Sequence, residues 1–216
     1  GISLAHNGNL TNSKALAREL FHAEMRHLNT DSDSEVLLNI FAHELAKQRA
    51  ILPSAEHFFQ AVKKAHSRCH GAYAVVALIT GFGLLAFRDP NGIRPAFWFE
   101  DDEVVVVASE RPVIQTAFNI SADRVQEVKP GHALIIKRNG EVSMPEVKTP
   151  GIRSACSFER IYFSRGNDKD IYTERKELGR NMVPQILEAV EHDLDNTVTS
   201  FIPNTAEVCF YGLIKG

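Results

Sequence analysis

His6-Asn7-Gly8-Asn9-Leu10-Thr11-Asn12 is the stretch on which the reading of the fold turns. It follows a short apolar run, Gly1-Ile2-Ser3-Leu4-Ala5, that reads as the end of a strand. It precedes Ser13 to Phe21, where Ala15, Leu16, Leu20 and Phe21 recur at helical spacing. A strand that stops at Asn-Gly leaves its last backbone N–H groups unpaired, and Gly8 has no side chain to cover them. Such a corner can bind an oxygen that carries negative charge. Downstream, Thr30-Asp31-Ser32-Asp33-Ser34-Glu35 gives an acid-rich turn before a helix, with Asp33 and Glu35 near the positive end of its dipole. An amide-lined anion site beside a fixed carboxylate suits an amino acid whose side-chain carbonyl is attacked. The same residues, taken alone, also read as a common turn dipeptide and an ordinary helix cap.

Working outward, Val36, Leu37, Ile40, Phe41 and Leu45 predict a helix from Asp33 to near Arg49, and Ser54 caps another carrying Phe58, Phe59, Val62 and Ala65. The period then changes. Ala72 to Ile79 is a continuous apolar run that predicts a buried strand, paired as a hairpin with Gly83 to Arg88. Ala96 to Glu100 and Val104 to Ala108 predict a second hairpin around Asp101-Asp102. Strands apolar on both faces require cover on each side. Ser109 to Phe118 predicts a short helix, and Arg124 to Val128, His132 to Lys137 and Glu141 to Ser143 predict further strands. This order fits a layered α+β domain over residues 1–146. Residues 147–173, broken by Pro and Gly and without sustained periodicity, read as a linker. Residues 174–216 open with an amphipathic helix from Glu174 to Val190; a strand at Thr197 to Ile202 and a turn at Pro203 into a new helix then read as the beginning of an α/β domain.

The composition, 44% hydrophobic and 24% charged over 216 residues with a net charge of −3, is that of an ordinary globular chain. It carries no electrostatic footprint for nucleic acid or an anionic membrane. Cys69, Cys156 and Cys209 lie far apart without metal-ligand spacing, so neither a disulfide framework nor a zinc knuckle is indicated, and a reducing cytoplasm is the expected location. No apolar run approaches the roughly twenty residues of a membrane span. The absence of an initiator methionine and the apolar run Val208 to Ile214 at the other end read as a piece of a longer protein.

The pair His-Asn-Gly-Asn-Leu at 6–10 and Thr-x-Ser-Asp-Ser-Glu at 30–35 resembles the class II glutamine amidotransferases. Four further stretches are similar to the amidophosphoribosyltransferase family within that class: Phe87-Arg88-Asp89-Pro90-Asn91-Gly92-Ile93-Arg94-Pro95, Val107-Ala108-Ser109-Glu110, Pro130-Gly131, and Cys156-Ser157-Phe158-Glu159-Arg160-Ile161-Tyr162-Phe163-Ser164-Arg165. The resemblance covers nearly the whole chain. It implies a layered αββα N-terminal-nucleophile domain, truncated, followed by the beginning of a phosphoribosyltransferase domain. It also implies glutamine and phosphoribosyl pyrophosphate as substrates of the parent protein, an assembly of several copies, and no nucleic acid or membrane partner. Gly166-Asn167-Asp168 and Pro203-Asn204-Thr205 depart from the family pattern, so two alternatives stay open: an amidotransferase with another ammonia acceptor, and a regulatory domain that keeps the fold without its chemistry.

By the same resemblance, an N-terminal cysteine attacks the glutamine amide. The Asn7 side chain and the Gly8 N–H match the oxyanion donors, and Asp33 matches the carboxylate that pairs with the substrate ammonium. No cysteine stands near the start of this chain, so by itself it is expected to be inactive as a glutaminase. Read from its residues, the stretch around Arg88 and Asp89 is a structural turn in which these two pair locally, and Arg94 receives no catalytic role. The cofactor expectation is none within these residues, with magnesium belonging to the parent protein. Cys156 occupies a position that serves as an iron–sulfur ligand in some members, though three cysteines cannot complete a four-cysteine set.

Overall fold

The computed structural model describes residues 1–216, and the chain divides into two units, Gly1–Ala155 and Cys156–Gly216. The first contains β1 (Ile2–Leu10), α1 (Ser13–His22), α2 (Asp33–Ala46), α3 (Ala55–Arg68), β2 (Gly71–Ile79), β3 (Gly83–Arg88), β4 (Phe97–Glu100), β5 (Val105–Ala108), α4 (Arg111–Phe118), β6 (Gln126–Glu127), β7 (Ala133–Lys137) and β8 (Val142–Ser143). Two antiparallel sheets result, one in the order β1-β2-β3-β7-β8 and the other β5-β4-β6.

Side-chain alternation along the strands decides the layers. Tyr73, Val75, Ala77 and Ile79 of β2, Leu85 and Phe87 of β3, and Ala133 and Ile135 of β7 share one core with Leu16 and Leu20 of α1, Leu37 and Phe41 of α2, and Phe58 and Val62 of α3. Their neighbours Ala74, Ala86, Leu134 and Ile136 point the other way and meet Trp98, Val105 and Val107 of the second sheet. The opposite face of that sheet, Phe97, Phe99 and Val106, packs with Ile114 of α4. Helices, sheet, sheet, helix: the layered α+β domain read from the residues takes the αββα arrangement that the resemblance implied. Each large side chain fully buried in these layers stabilises the fold by about 1.5–3 kcal/mol relative to exposure.

Helix starts follow their caps. Ser32 accepts the Ser34 N–H ahead of α2. Ser54 and His57 form a reciprocal capping box at α3, with the Ser54 N–H donating to His57 Nδ1 at 3.1 Å. Two expectations in this unit are corrected. The first strand does not stop at Ala5 but continues through Leu10, because Gly71 and Ala72 extend β2 alongside it. The strand expected from Arg124 to Val128 shrinks to the two residues of β6, preceded by a 3-10 turn at Ala122–Arg124. Residues 147–155 belong to this unit: the Val147 and Lys148 N–H groups both donate to the Gly131 carbonyl, at 2.9 and 3.0 Å.

The second unit holds a π-type turn at Glu159–Phe163, α5 (Lys169–Ala189) and α6 (Glu207–Lys215). The long helix starts five residues before the periodic apolar pattern does, because the Asp168 carboxylate caps it, accepting from the N–H groups of Asp170 (2.9 Å) and Ile171 (3.3 Å). Thr197 to Ile202 is not a strand. This unit contains no strand that could supply its ladder hydrogen bonds, and a β-prone run alone cannot satisfy its own backbone. The two helices cross at glycines: a Cβ on Gly179 would lie 1.9 Å from the Cys209 carbonyl oxygen, and one on Gly212 would lie 1.9 Å from that of Lys176.

Candidate active site on the free edge of the first sheet

β1 has a strand on one side only. At its two ends the Thr80 N–H donates to the Gly1 carbonyl and the Thr11 N–H to the His70 carbonyl, both at 2.9 Å. With the observed register, odd-numbered residues of β1 therefore bond to β2, and the N–H groups of His6, Gly8 and Leu10 turn outward to the free edge. The open amide at Gly8 expected from the sequence thus arises at a sheet edge and not at a strand end. Gly8 has φ +150°, and a Cβ there would lie 2.0 Å from the Ala72 carbonyl oxygen, so the backbone position itself demands glycine.

Asp33 reaches the same edge. Its Oδ2 accepts the Leu10 N–H at 2.9 Å, two residues along from Gly8, which places the two amides roughly 7 Å apart on the strand. The loop before it is clamped by Glu35, whose carboxylate accepts the backbone N–H groups of Asn29 and Thr30, both at 2.8 Å, and the Thr30 hydroxyl at 2.6 Å. The Asn29 N–H and then the Thr30 hydroxyl hold the Glu35 carboxyl down to about 2. His6 stands beside Asp33, with Nδ1 3.1 Å from the Ser34 hydroxyl and 3.7 Å from Asp33 Oδ1. Burial lowers the His6 pKa, against the pull of the Asp33 carboxylate, so the imidazole is neutral at pH 7 and does not cancel the Asp33 charge.

Asn7 points to the other face of β1, away from His6. Its Oδ1 accepts a hydrogen bond from the Arg94 guanidinium. Arginine has donors only, so the amide oxygen is the end that faces it and Nδ2 is left directed elsewhere. A cleft of about 210 Å³ opens here between the sheets, lined by Ala5, Asn7, Ala74, Ala96, Val107 and Ser109 among others. A wider depression of about 770 Å³ runs along α1 and the loop at His27 to Asp31, and it touches none of Asn7, Gly8 and Asp33.

The loop that carries Arg94 is corrected from the sequence reading: Arg88 and Asp89 do not pair with each other. Arg88, fully buried, donates to Glu127 Oε1 at 2.6 Å and to the carbonyls of Val128 (3.1 Å) and Gly92 (2.9 Å). Asp89, also buried, gathers the backbone N–H groups of Asn91, Ile93 and Arg94 at 2.9–3.1 Å. Arg94 and His6 are the neighbours of the site to which the sequence reading gave no role. The signal for Arg94 was its place in the charged loop at 88–95; nothing local pointed from there to Asn7.

Two other groups bear on metals. Glu24, His43 and Glu44 converge, but the Arg68 guanidinium already supplies the cation, 2.7 Å from each of Glu24 Oε1 and Glu44 Oε1. Among the cysteines, Cys69 is buried in the first unit with its thiol pushed up to about 12 by burial, whereas Cys156 and Cys209 belong to the second. This set does not fit a four-cysteine cluster. No helix is long and apolar enough to cross a membrane.

A family profile described as a glutamine amidotransferase domain matches residues 1–116, which include β1, the free edge, Asp33 and Arg94. The chain belongs to that family. Relatives named amidophosphoribosyltransferase are 39% identical in Pseudomonas aeruginosa and 40% identical in Escherichia coli, each over 215 residues covering 95% of this chain and 42% of the relative. The Saccharomyces cerevisiae protein of the same name is 38% identical over 222 residues, covering 97% of this chain and 42% of its own length. A solved glutamine phosphoribosylpyrophosphate amidotransferase from B. subtilis, complexed with ADP and GMP, superposes with a TM-score of 0.72 at 28% identity over 99% of this chain and 43% of that one. The chain thus spans less than half the length of the relatives it matches.

Proposed function

We propose that this amidotransferase domain serves an amidophosphoribosyltransferase: glutamine is hydrolysed here, and the ammonia displaces pyrophosphate from phosphoribosyl pyrophosphate to give 5-phosphoribosylamine, the first step of purine synthesis. The observation that carries the reading is the side of β1 turned away from β2, where the Gly8 N–H lies two residues along from the Leu10 N–H that the Asp33 carboxylate accepts, and the Asn7 amide flanks Gly8. An extended glutamine laid along that edge has its α-ammonium at Asp33 and its side-chain carbonyl at Gly8.

A thiolate supplied by the longer protein attacks the carbonyl carbon. The carbonyl oxygen becomes negative and is held by the Gly8 N–H and Asn7 Nδ2, donors that are in place before the charge forms. The proton that the thiol gives up to the α-amino group of the same parent cysteine passes to the leaving nitrogen, so collapse of the tetrahedral intermediate expels ammonia and leaves a thioester, which water cleaves to glutamate and the free thiol. Asp33 holds the substrate by its charge and takes no proton. Residues 174–216 are read as the opening of a phosphoribosyltransferase domain joined through the part of the 147–173 segment that follows Ala155, with magnesium and phosphoribosyl pyrophosphate bound by residues outside this chain. The protein is read as cytoplasmic and assembled from several copies. The names of the relatives and the match over 95% of the chain support this reading.

Asn7→Ala in the full-length enzyme tests it. Ammonia release from glutamine is expected to fall about a hundredfold to a thousandfold, as when one oxyanion donor is removed, while synthesis from free ammonia continues. A glutaminase rate near wild type would sink the assignment.

A further inference from the structure

The loop Arg88 to Pro95 is built to deliver one side chain. Asp89 ties down the backbone at Asn91, Ile93 and Arg94, and Arg88 ties down Gly92 from beneath. Gly92 itself has φ +61°, and a Cβ there would lie 2.8 Å from Pro130 Cγ and 3.2 Å from Arg88 Nη2, so the turn admits no side chain. From this fixed base the Arg94 guanidinium crosses to β1 and donates to Asn7 Oδ1, a contact between residues 87 positions apart.

Resting on the reading of Asn7 as an oxyanion donor, we infer that Arg94 is a positioning residue for the oxyanion site: it fixes the orientation of the Asn7 amide and polarises it. Three effects follow from the one contact. The amide cannot flip, because its NH₂ end would then face a donor-only group, so Nδ2 keeps its direction. A cation on the amide oxygen draws electron density from the amide nitrogen and strengthens Nδ2–H as a donor. The guanidinium charge also lies close enough to the edge to act on it, since it is one of the charges that bears on His6. Charge that develops on the glutamine carbonyl oxygen therefore meets a donor already oriented, with no reorganisation at the moment of attack. Arg94 does not touch glutamine itself; it acts through Asn7.

The test is a double-mutant cycle in the full-length enzyme with Arg94→Ala, Asn7→Ala and both together, each followed by glutamine hydrolysis and by thermal melting. The inference expects Arg94→Ala to lower kcat for glutamine by about tenfold to a hundredfold with KM within about twofold, because only the transition state develops the charge. It expects the double variant to be no slower than Asn7→Ala, since the inferred effect of the arginine on the oxyanion is carried by that amide. A wild-type kcat in Arg94→Ala, a loss confined to KM, or losses that multiply in the double variant would each overturn the inference while leaving the Asn7 assignment standing. An unaffected Asn7→Ala overturns that assignment and this inference with it. If Arg94→Ala melts too early to assay, Arg94→Met carries the test: it keeps the apolar stem without a donor or a charge, so a lowered kcat with unchanged KM supports the inference and a full wild-type rate overturns it.

Discussion

Gly8 and Ala72 approach so closely that a Cβ on the glycine would sit 2.0 Å from the alanine carbonyl oxygen. Gly8→Ala must therefore push β1 away from β2, or leave its backbone strained at a φ that alanine rarely adopts. A loss of about 1–3 kcal/mol in stability is expected from such overpacking, together with loss of glutaminase activity as the outward N–H moves. Chemical denaturation and ammonia release check the two effects; wild-type stability would contradict the geometry.

Asp33→Asn separates charge from structure. Asparagine still offers an oxygen to the Leu10 N–H, so the fold should hold, but the substrate ammonium loses its counter-charge. KM for glutamine is expected to rise roughly tenfold to a hundredfold, the equivalent of about 1.5–3 kcal/mol for a hydrogen bond to a charged group. Steady-state kinetics beside a melting curve measure this; an unchanged KM would remove Asp33 from the binding site.

His66 makes the first unit sensitive to acid. Its ring is buried against Tyr73, with Nδ1 2.8 Å from the phenol oxygen, and burial first, then the Lys148 charge, lower its pKa from 6.5 to about 3. Between those values the unfolded chain binds the proton and the folded chain does not. This contribution to stability is complete above pH 6.5 and is lost as pH falls toward 3, with a slope approaching about 1.4 kcal/mol per pH unit. Denaturation curves at pH 7, 6 and 5 for wild type and His66→Gln should show the wild type losing more; equal slopes would refute it.

Arg68 is the keystone of a half-buried charge cluster. Its guanidinium bonds Glu24 and Glu44, whose side chains are only 9% and 8% exposed. Arg68→Met leaves the Glu24 carboxylate without its guanidinium partner and Glu44 with Lys47 alone, 3.1 Å away, and is expected to cost about 3–5 kcal/mol. Adding Glu24→Gln and Glu44→Gln should recover much of the loss, which urea denaturation of the single and triple variants would measure.

The readable parts of the fold were those in which a residue reports on its own surroundings. The helix from Asp33 and the hairpin of Ala72 to Ile79 with Gly83 to Arg88 could be read because each apolar side chain occupies a face dictated by its local backbone. Thr197 to Ile202 misled because its β-prone residues say nothing about whether a partner strand exists. The Arg88–Asp89 turn misled for a related reason: both charges are used, but on Glu127 and on the loop backbone, not on each other.

Sequence by itself determined the layered α+β class, the glycine at position 8 and the acid at position 33, since period, turn chemistry and capping act over a few residues. Only the tertiary structure decided that β1 pairs with β2 along its whole length, that its even-numbered amides face away from that partner, and that Arg94 reaches back to Asn7. Strand order and contacts 87 residues apart depend on how the two sheets stack, and that stacking is settled by the packing of whole faces, which no single stretch of the chain encodes.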